Sequence, residues 1–408
     1  MEKYLRTFGV LTAVLSAGFA FAQGNTIGNA INVTTFGVQC NGTADDTGAI
    51  NTALSTAGGR TLVFPAGVCL YSGGGVLSNG TTIVGAGRNA TVIRATTSNA
   101  TLFNVGGYGA GIRSIKFNAA VPQTGGSYVV LSGPESFIED FFMTGDYNGI
   151  LMTGNVARIR HGRFQDGAPG AIRIRAEGGD NSQLIDDVLM GAQQPQVSFA
   201  GIRVRNSAAL IISNTSVIQQ GTGLLIDPYS STLGGATDAG MVASLWVHHC
   251  FFDNSSGSGI AINATGSGSV VRSRFDSVWA GSSGSDGVRI VNNGSGTVSG
   301  IHFTSPHFLL NAGSGITTGG TVSDVSITGG EIGANSFGAY FNPGLTSVRI
   351  TDSRIGNGAG VGGNSGAGVV ISSGVDYVIL SNNDLRGNGS AIANPSPSPN
   401  QLITNNFQ

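Results

Sequence analysis

From residue 138 onward one spacing recurs along the chain: an apolar residue, four residues rich in Ser, Asn, Asp and Gly, then another apolar residue. It reads at Ile138/Met143, Ile159/Phe164, Leu184/Leu189, Ile212/Val217, Val247/Phe252, Val270/Phe275, Phe303/Phe308, Ile327/Ile332, Ile350/Ile355, Leu380/Leu385 and Leu402/Phe407. Between these pairs lie short alternating runs opened by glycine, among them Gly149-Ile150, Gly201-Ile202, Gly223-Leu224, Gly259-Ile260, Gly287-Val288, Gly315-Ile316, Gly338-Ala339 and Gly368-Val369. Two interleaved periodicities at a spacing of roughly 20 to 36 residues mark a solenoid.

Alternation over three to five residues is a strand signal, and the runs are too short for amphipathic helices. The Asn or Gly inside each spacer suits a sharp bend that needs left-handed backbone torsions. Strand, bend, strand, loop and strand then make one coil. A single coil cannot bury its own apolar side, so stability accrues by stacking, and about ten coils are expected. The chain holds 67 glycines among 408 residues yet is 40% hydrophobic with 10% charged residues. Disorder needs the opposite balance, so the reading is all-β with many tight turns.

An open coil end is an edge that recruits other strands. Asp45-Asp46-Thr47 followed by Gly48-Ala49-Ile50-Asn51-Thr52-Ala53-Leu54 and stopped by Gly58-Gly59 predicts a helix over the first coil, with Asp45 and Asp46 as its N-terminal caps. No cap is read at the other end, where 395–408 are expected to form a loop and final strands. Residues 1–22, with Lys3, Arg6, the apolar run Phe8–Phe21 and Ala20-Phe21-Ala22, read as an export signal, so the mature chain should start near Gln23. Residues 23–408 then make one domain, with the cap and first coils at 32–95 and the central coils at 96–394. Export permits disulfides. Cys40 pairs with Cys69 in this expectation and Cys250 stays a buried thiol, the alternative being three free thiols. A formal net charge of -2 argues against a nucleic-acid or membrane-surface partner.

The segment Asn32-Val33-Thr34-Thr35-Phe36-Gly37-Val38, then Asn41-Gly42-Thr43-Ala44-Asp45-Asp46-Thr47-Gly48-Ala49-Ile50, Leu62-Val63-Phe64-Pro65-Ala66-Gly67 and Ile83-Val84-Gly85-Ala86-Gly87, resembles the start of the pectate lyase superfamily, shared with polygalacturonase-related enzymes and phage tailspikes. The resemblance spans about residues 32 to 95. It implies a single-stranded right-handed parallel β-helix with polysaccharide chemistry in a groove on one outer sheet, and it carries no catalytic residue. Arg160-His161-Gly162, Arg173-Ile174-Arg175 and Asp186-Asp187 match polygalacturonase motifs only in part and in the wrong order. Leu245-Trp246-Val247-His248-His249-Cys250 is similar to a pectate lyase stretch with His where Asp belongs, and the partner Arg motif is missing.

The residues that break the bland Ser/Thr/Asn surface are arginines. If the isoleucines of Ala171-Ile172-Arg173-Ile174-Arg175 and Gly201-Ile202-Arg203-Val204-Arg205 point inward, then Arg173, Arg175, Arg203 and Arg205 point out. In adjacent coils Arg173 would stack on Arg203 and Arg175 on Arg205, with Asp227 beside Arg205. Strands lie about 4.8 Å apart, where two like charges repel by roughly 0.9 kcal/mol in bulk water and about 3.5 kcal/mol at an effective dielectric of 20. Such a ladder asks for anions. Glu177, Asp180, Asp166, Asp186 and Asp187 are near in sequence, and a carboxylated sugar would serve as well. The functional reading makes the four arginines a substrate platform, with Asp166, Asp186, Asp187, Asp227 or His161 as acid or base; it requires no cofactor, and in a lyase the sugar carboxylate would be neutralised by protein cations or by calcium. The competing reading is a surface ladder that satisfies itself.

Other residues read as structural. Strand alternation should send His248 and His249 to opposite faces, which disfavours a metal site, and none is expected. His302 and His307 read as coil-wall residues; Asp352, Asn382, Asn383, Asn405 and Asn406 as bend residues. Trp246, Trp279 and Tyr340 fit either a sugar platform or a wall. The expected function is a secreted, monomeric lyase or glycoside hydrolase acting on an acidic polysaccharide. A non-catalytic carbohydrate-binding or adhesion protein is the alternative, and an export signal speaks against a tailspike fragment.

Overall fold

The computed structural model describes residues 30–178, 182–191, 199–228, 240–357, 361–395 and 397–408. Residues 31–408 form one compact unit. Residues 1–22, on which the export-signal expectation falls, and Asp180 lie outside the described residues. The unit is an all-β right-handed parallel solenoid of about 13 turns, its strands paired in parallel with the equivalent strands of the turns before and after. The expected ten coils fall short because the count started at residue 138. The strands Gly75–Leu77, Phe103–Val105 and Ser127–Leu131 already stack as earlier turns.

Each turn bends at corners where the backbone is left-handed. One corner column runs Ser114, Asp140, His161, Asp187, Asn214, His249, Ser277, Ser305, Gly329, Asp352, Asn382 and Asn405, all with positive φ. Hydrogen bonds along the stack satisfy the amides there, as in Asn214 N–H to His248 O and Ser277 N–H to Thr304 O. A second column runs through Glu135, Val156, Ser182, Ala209, Ser244, Arg272, Gly300, Asp324 and Tyr377. Left-handed torsions are uncommon for side chains other than Gly, Asn and Asp, so the charged and aromatic members of this column mark sites where stacking overrides local preference. The bend roles expected of Asp352, Asn382 and Asn405 are observed.

Between corners, inward residues form columns of buried Ile, Val, Leu and Phe, including Ile159, Ile185, Ile212, Val247, Phe275 and Phe303. Each such side chain contributes about 1.5 to 3 kcal/mol on burial. Asn311, Asn335, Asn364 and Asn388 stack inside a later corner, the side-chain oxygens of Asn335, Asn364 and Asn388 each accepting from the side-chain amide of the turn before. These bonds satisfy polar groups that the turn would otherwise bury alone.

Three expected pairs are out of register. Ile185 and Met190 are the buried pair, while Leu189 is exposed; Ile403, not Leu402, stands against Leu380; and Phe275 aligns with Val247, so its partner is Ala280 and not Val270. A slip of one residue exchanges inside for outside along a strand.

The helix spans Thr47–Ala57 and buries Ile50, Ala53, Leu54 and Ala57. The capping expectation needs division. Asp45 accepts from the Thr47 amide at 3.0 Å, whereas buried Asp46 turns away from the helix and accepts from the Gln39 and Cys40 amides at 2.7 and 3.1 Å. Asp46 thereby pins the turn beside the Cys40–Cys69 disulfide. Burial pushes the Cys250 thiol up to about 12. No helix among the described residues is long and apolar enough to cross a membrane.

Candidate functional site

The arginine ladder forms in a different register and is internally neutralised. Ile174, not Ile172, aligns with Ile202, and Arg175 stands against Arg203. A two-residue slip preserves the face, so alternation alone does not separate the two registers. Arg175 donates to both carboxylate oxygens of Glu177 at 2.8 and 2.6 Å. Asp227 accepts from Arg203 Nε at 2.9 Å and from Arg205 Nη2 at 3.3 Å. Burial raises the Asp227 carboxyl, opposed by Arg203.

Arg173 does not face solvent at all. It occupies the column filled in neighbouring turns by Gly149 and Gly201. That slot faces inward, since a Cβ at Gly201 would lie 2.3 Å from Val217 Cγ1. Room for the guanidinium comes from Gly167, where a Cβ would lie 2.4 Å from Arg173 Cζ. Arg173 is fully buried against Asp146 at 2.5 Å. The inward turn of the chain at this glycine column breaks the strand alternation on which the outward expectation rested.

The expected acids and base do not converge on one site. His161 and Asp187 meet at 3.8 Å on the first corner column. Asp186, beside them, accepts from Ser213 and Asn214 side chains at 2.7 and 3.0 Å. Burial acts to raise the Asp186 carboxyl, but these two bonds, with Arg160 and His161, lower it on balance. Asp166 is an exposed left-handed bend residue elsewhere, and Asp227 lies after a strand of a different sheet. Removing Arg203 as Ala is therefore expected to lower stability by about 1 to 3 kcal/mol and leave glycan affinity unchanged. Denaturation midpoints and a binding isotherm check both halves.

A groove with free cations lies further along. The outward residues Trp246, Arg274, His302, Ser326, Arg349 and Ile379 stand in register on successive turns. Five strand spacings of about 4.8 Å make this row about 24 Å long. The second corner column runs beside it and sends Arg272, Asp324 and Tyr377 to the same surface. Two clefts, of about 530 and 420 Å³, meet at His302 and Asp324. His302 Nε2 lies 3.8 Å from Asp324 Oδ2, and its Nδ1 is 2.7 Å from the Ser326 hydroxyl. Gly300 separates Arg272 from Asp324, and a Cβ there would press to 3.2 Å from the Arg272 amide. Arg272, Arg274 and Arg349 are exposed, and among the described residues none pairs with a carboxylate. Trp246 and Tyr377 stand exposed at the two ends.

His302 is a wall residue of its strand, and its ring lines both clefts. His307, by contrast, stacks on Trp279 and faces Glu331 at 3.6 Å. His248 and His249 both reach the surface, Nδ1 to Nδ1 at 3.2 Å, because His249 is a corner residue and the bend interrupts alternation. Tyr340 packs edge-on against Phe337 on the glycine-opened sheet. The one group of three potential metal ligands among the described residues is Cys40, Asp46 and Cys69, and its sulfurs form the disulfide. Alternation in the sequence does place single side chains outward: Trp246, Arg274, His302 and Arg349 each stand between two buried residues, as in Leu245-Trp246-Val247 and Ile301-His302-Phe303, but it does not show that they share a surface. Pairing Val270 with Phe275 hid Arg272 and Arg274 inside a spacer.

Residues 30–124 match the family described as rhamnogalacturonase A/epimerase, pectate lyase-like. That stretch is pectate-lyase-like. A comparison with the curated proteins gives no match. Among solved structures, the A-module of a mannuronan C-5 epimerase from Azotobacter vinelandii aligns with a TM-score of 0.57 at 17% identity, covering 91% of this chain and 99% of that one. The catalytic unit of an alpha-1,3-glucanase from Streptomyces thermodiastaticus aligns at 0.60 and 15%, covering 90% and 70%. The Dettilon tailspike protein aligns at 0.64 and 15%, covering 92% and 70%. At these identities the likeness shows the parallel β-helix fold alone, and the groove's chemistry rests on its own residues.

Proposed function

We propose that this chain is a secreted polysaccharide-active protein that holds an acidic glycan along the Trp246–Tyr377 groove and cleaves it by β-elimination. The observation that carries the reading is the set of three unpaired arginines, Arg272, Arg274 and Arg349, around the His302–Asp324 pair. Guanidinium forks suit bidentate contacts to sugar carboxylates. Their charge stabilises the extra negative charge that builds on a uronate carboxylate when its α-proton leaves.

His302 is the base in this reading, oriented by Ser326 and Asp324. It takes the proton from the carbon next to the carboxylate, the electron pair forms the ring C=C bond, the glycosidic C–O bond breaks, and the departing oxygen is protonated by water. Glycoside hydrolysis ordinarily needs two carboxyl groups flanking the bond, and among the described residues the groove lining holds one, Asp324. The fold relatives named for an epimerase and a glucanase support a polysaccharide as partner.

Polygalacturonate and alginate incubated with the chain should give rising absorbance in the unsaturated-uronate band together with new reducing ends. Reducing ends without that absorbance would replace elimination with hydrolysis. Binding with neither signal would leave a non-catalytic carbohydrate-binding protein.

A further inference from the structure

We propose a second anion-binding face, separate from the groove, formed by Lys116, Phe142 and Arg163 beside the His161–Asp187 pair, and assign to it a further segment of the acidic polysaccharide. It rests on the reading of the substrate as an acidic glycan. Phe142 pairs in register with Lys116 on one side and Arg163 on the other. The Lys116 ammonium lies 4.7 Å and the Arg163 guanidinium 5.5 Å from the centre of its ring. Among the described residues neither cation has a carboxylate partner.

The contrast with the neighbouring row is instructive. One strand step before the corner, Arg113, Glu139, Arg160 and Asp186 alternate in sign along the stack, with Arg113 and Glu139 at 3.3 Å. That row neutralises itself. Past the corner the equivalent row has an aromatic ring where acids would stand, so its two cations are spaced and held but not discharged. A ring face attracts a cation through its quadrupole without cancelling its charge, which leaves the guanidinium edge and the ammonium free to meet anions.

Next to this platform is a cleft of about 410 Å³ lined by Arg163, His161, Asp187, exposed Leu189 and the Arg88–Asp140 pair. Carboxylate or sulfate groups on a sugar chain fit the two cations, and the apolar Leu189 suits a sugar ring. Register places the platform on earlier turns than Trp246 and on the other side of the first corner column, so a polymer held there is anchored outside the reacting groove.

The test is native electrophoresis of the full chain through gels containing polygalacturonate, alginate or heparin, comparing Lys116→Ala with Arg163→Ala against Arg272→Ala with Arg274→Ala and Arg349→Ala. Removing the platform cations should weaken retardation by roughly tenfold in polymer concentration, and should leave turnover of short oligosaccharides unchanged. Full retardation of the platform variant, with loss only in the groove variant, overturns the second face and leaves the groove reading standing. Loss only in the platform variant supports the second face and removes the groove. No retardation of the unaltered chain by any of the three polymers overturns both. A platform variant that changes oligomeric state in sedimentation without changing retardation shows that the face binds a second copy, and overturns the proposal.

Discussion

Alanine at His302 is expected to lower turnover of an acidic glycan by about 10²- to 10⁴-fold, the usual range for a positioned acid or base. Stability should move by no more than about 0.5 kcal/mol, because the ring is partly exposed and contributes no core contact. The arginines should behave differently. Arg349→Ala and Arg274→Ala remove cations that both hold the sugar carboxylate and stabilise the charge that builds on it, so KM should rise and kcat should fall together, whereas His302→Ala should act on kcat with little change in KM. Steady-state kinetics on polygalacturonate or alginate separate the two patterns. Turnover of His302→Ala equal to that of the unaltered chain would exclude His302 as the base.

The largest stability effect is expected inside the coil, at Asp146 and Arg173. Both side chains are fully buried at 2.5 Å, and Asp146 Oδ2, Arg173 Nε and Arg173 Nη2 have no hydrogen-bond partner. Two charges removed from water and incompletely hydrogen-bonded make a poor source of stability, yet removing one of them leaves the other uncompensated. Either single replacement, Asp146→Ala or Arg173→Met, should therefore cost about 3 to 5 kcal/mol, while Asp146→Leu with Arg173→Met should be neutral or stabilising by about 1 to 4 kcal/mol. Urea denaturation of the three variants provides the comparison. A double variant as unstable as either single one would mean that the pair is a net stabilising contact.

The same pair predicts a pH dependence. Burial raises the Asp146 carboxyl above its ordinary 3.8, opposed by Arg173. A group whose folded value is raised binds its proton more tightly when folded, so its contribution is fully present below the unfolded value and is lost as pH rises toward the folded one. Removing Arg173 takes away the opposing charge and raises Asp146 further. The Arg173→Met deficit should consequently shrink as the medium is acidified below neutrality.

The recurrent apolar spacing determined, from sequence alone, that this chain stacks coils. Each inward Ile, Val or Phe is useless to a lone coil, and the Asn and Gly in the spacers fit only a repeated left-handed bend. The helix over the first turns was legible for the same reason, as a period of 3.6 bounded by a cap and Gly58. The register was not legible, because strand periodicity is two and the alternatives differ only in what lies on the next turn. Arg173 could be read as exposed only while Gly149, Gly201 and Gly167 were not known to share its layer. The Arg272–Arg274 strand, His302 and Asp324 lie on three successive turns, and nothing local shows that their side chains meet on one surface. Tertiary structure decided which cations find acids across the stack: Arg173 meets Asp146 and Arg203 meets Asp227, while those stacked opposite Trp246, His302 and Ser326 are left for a ligand.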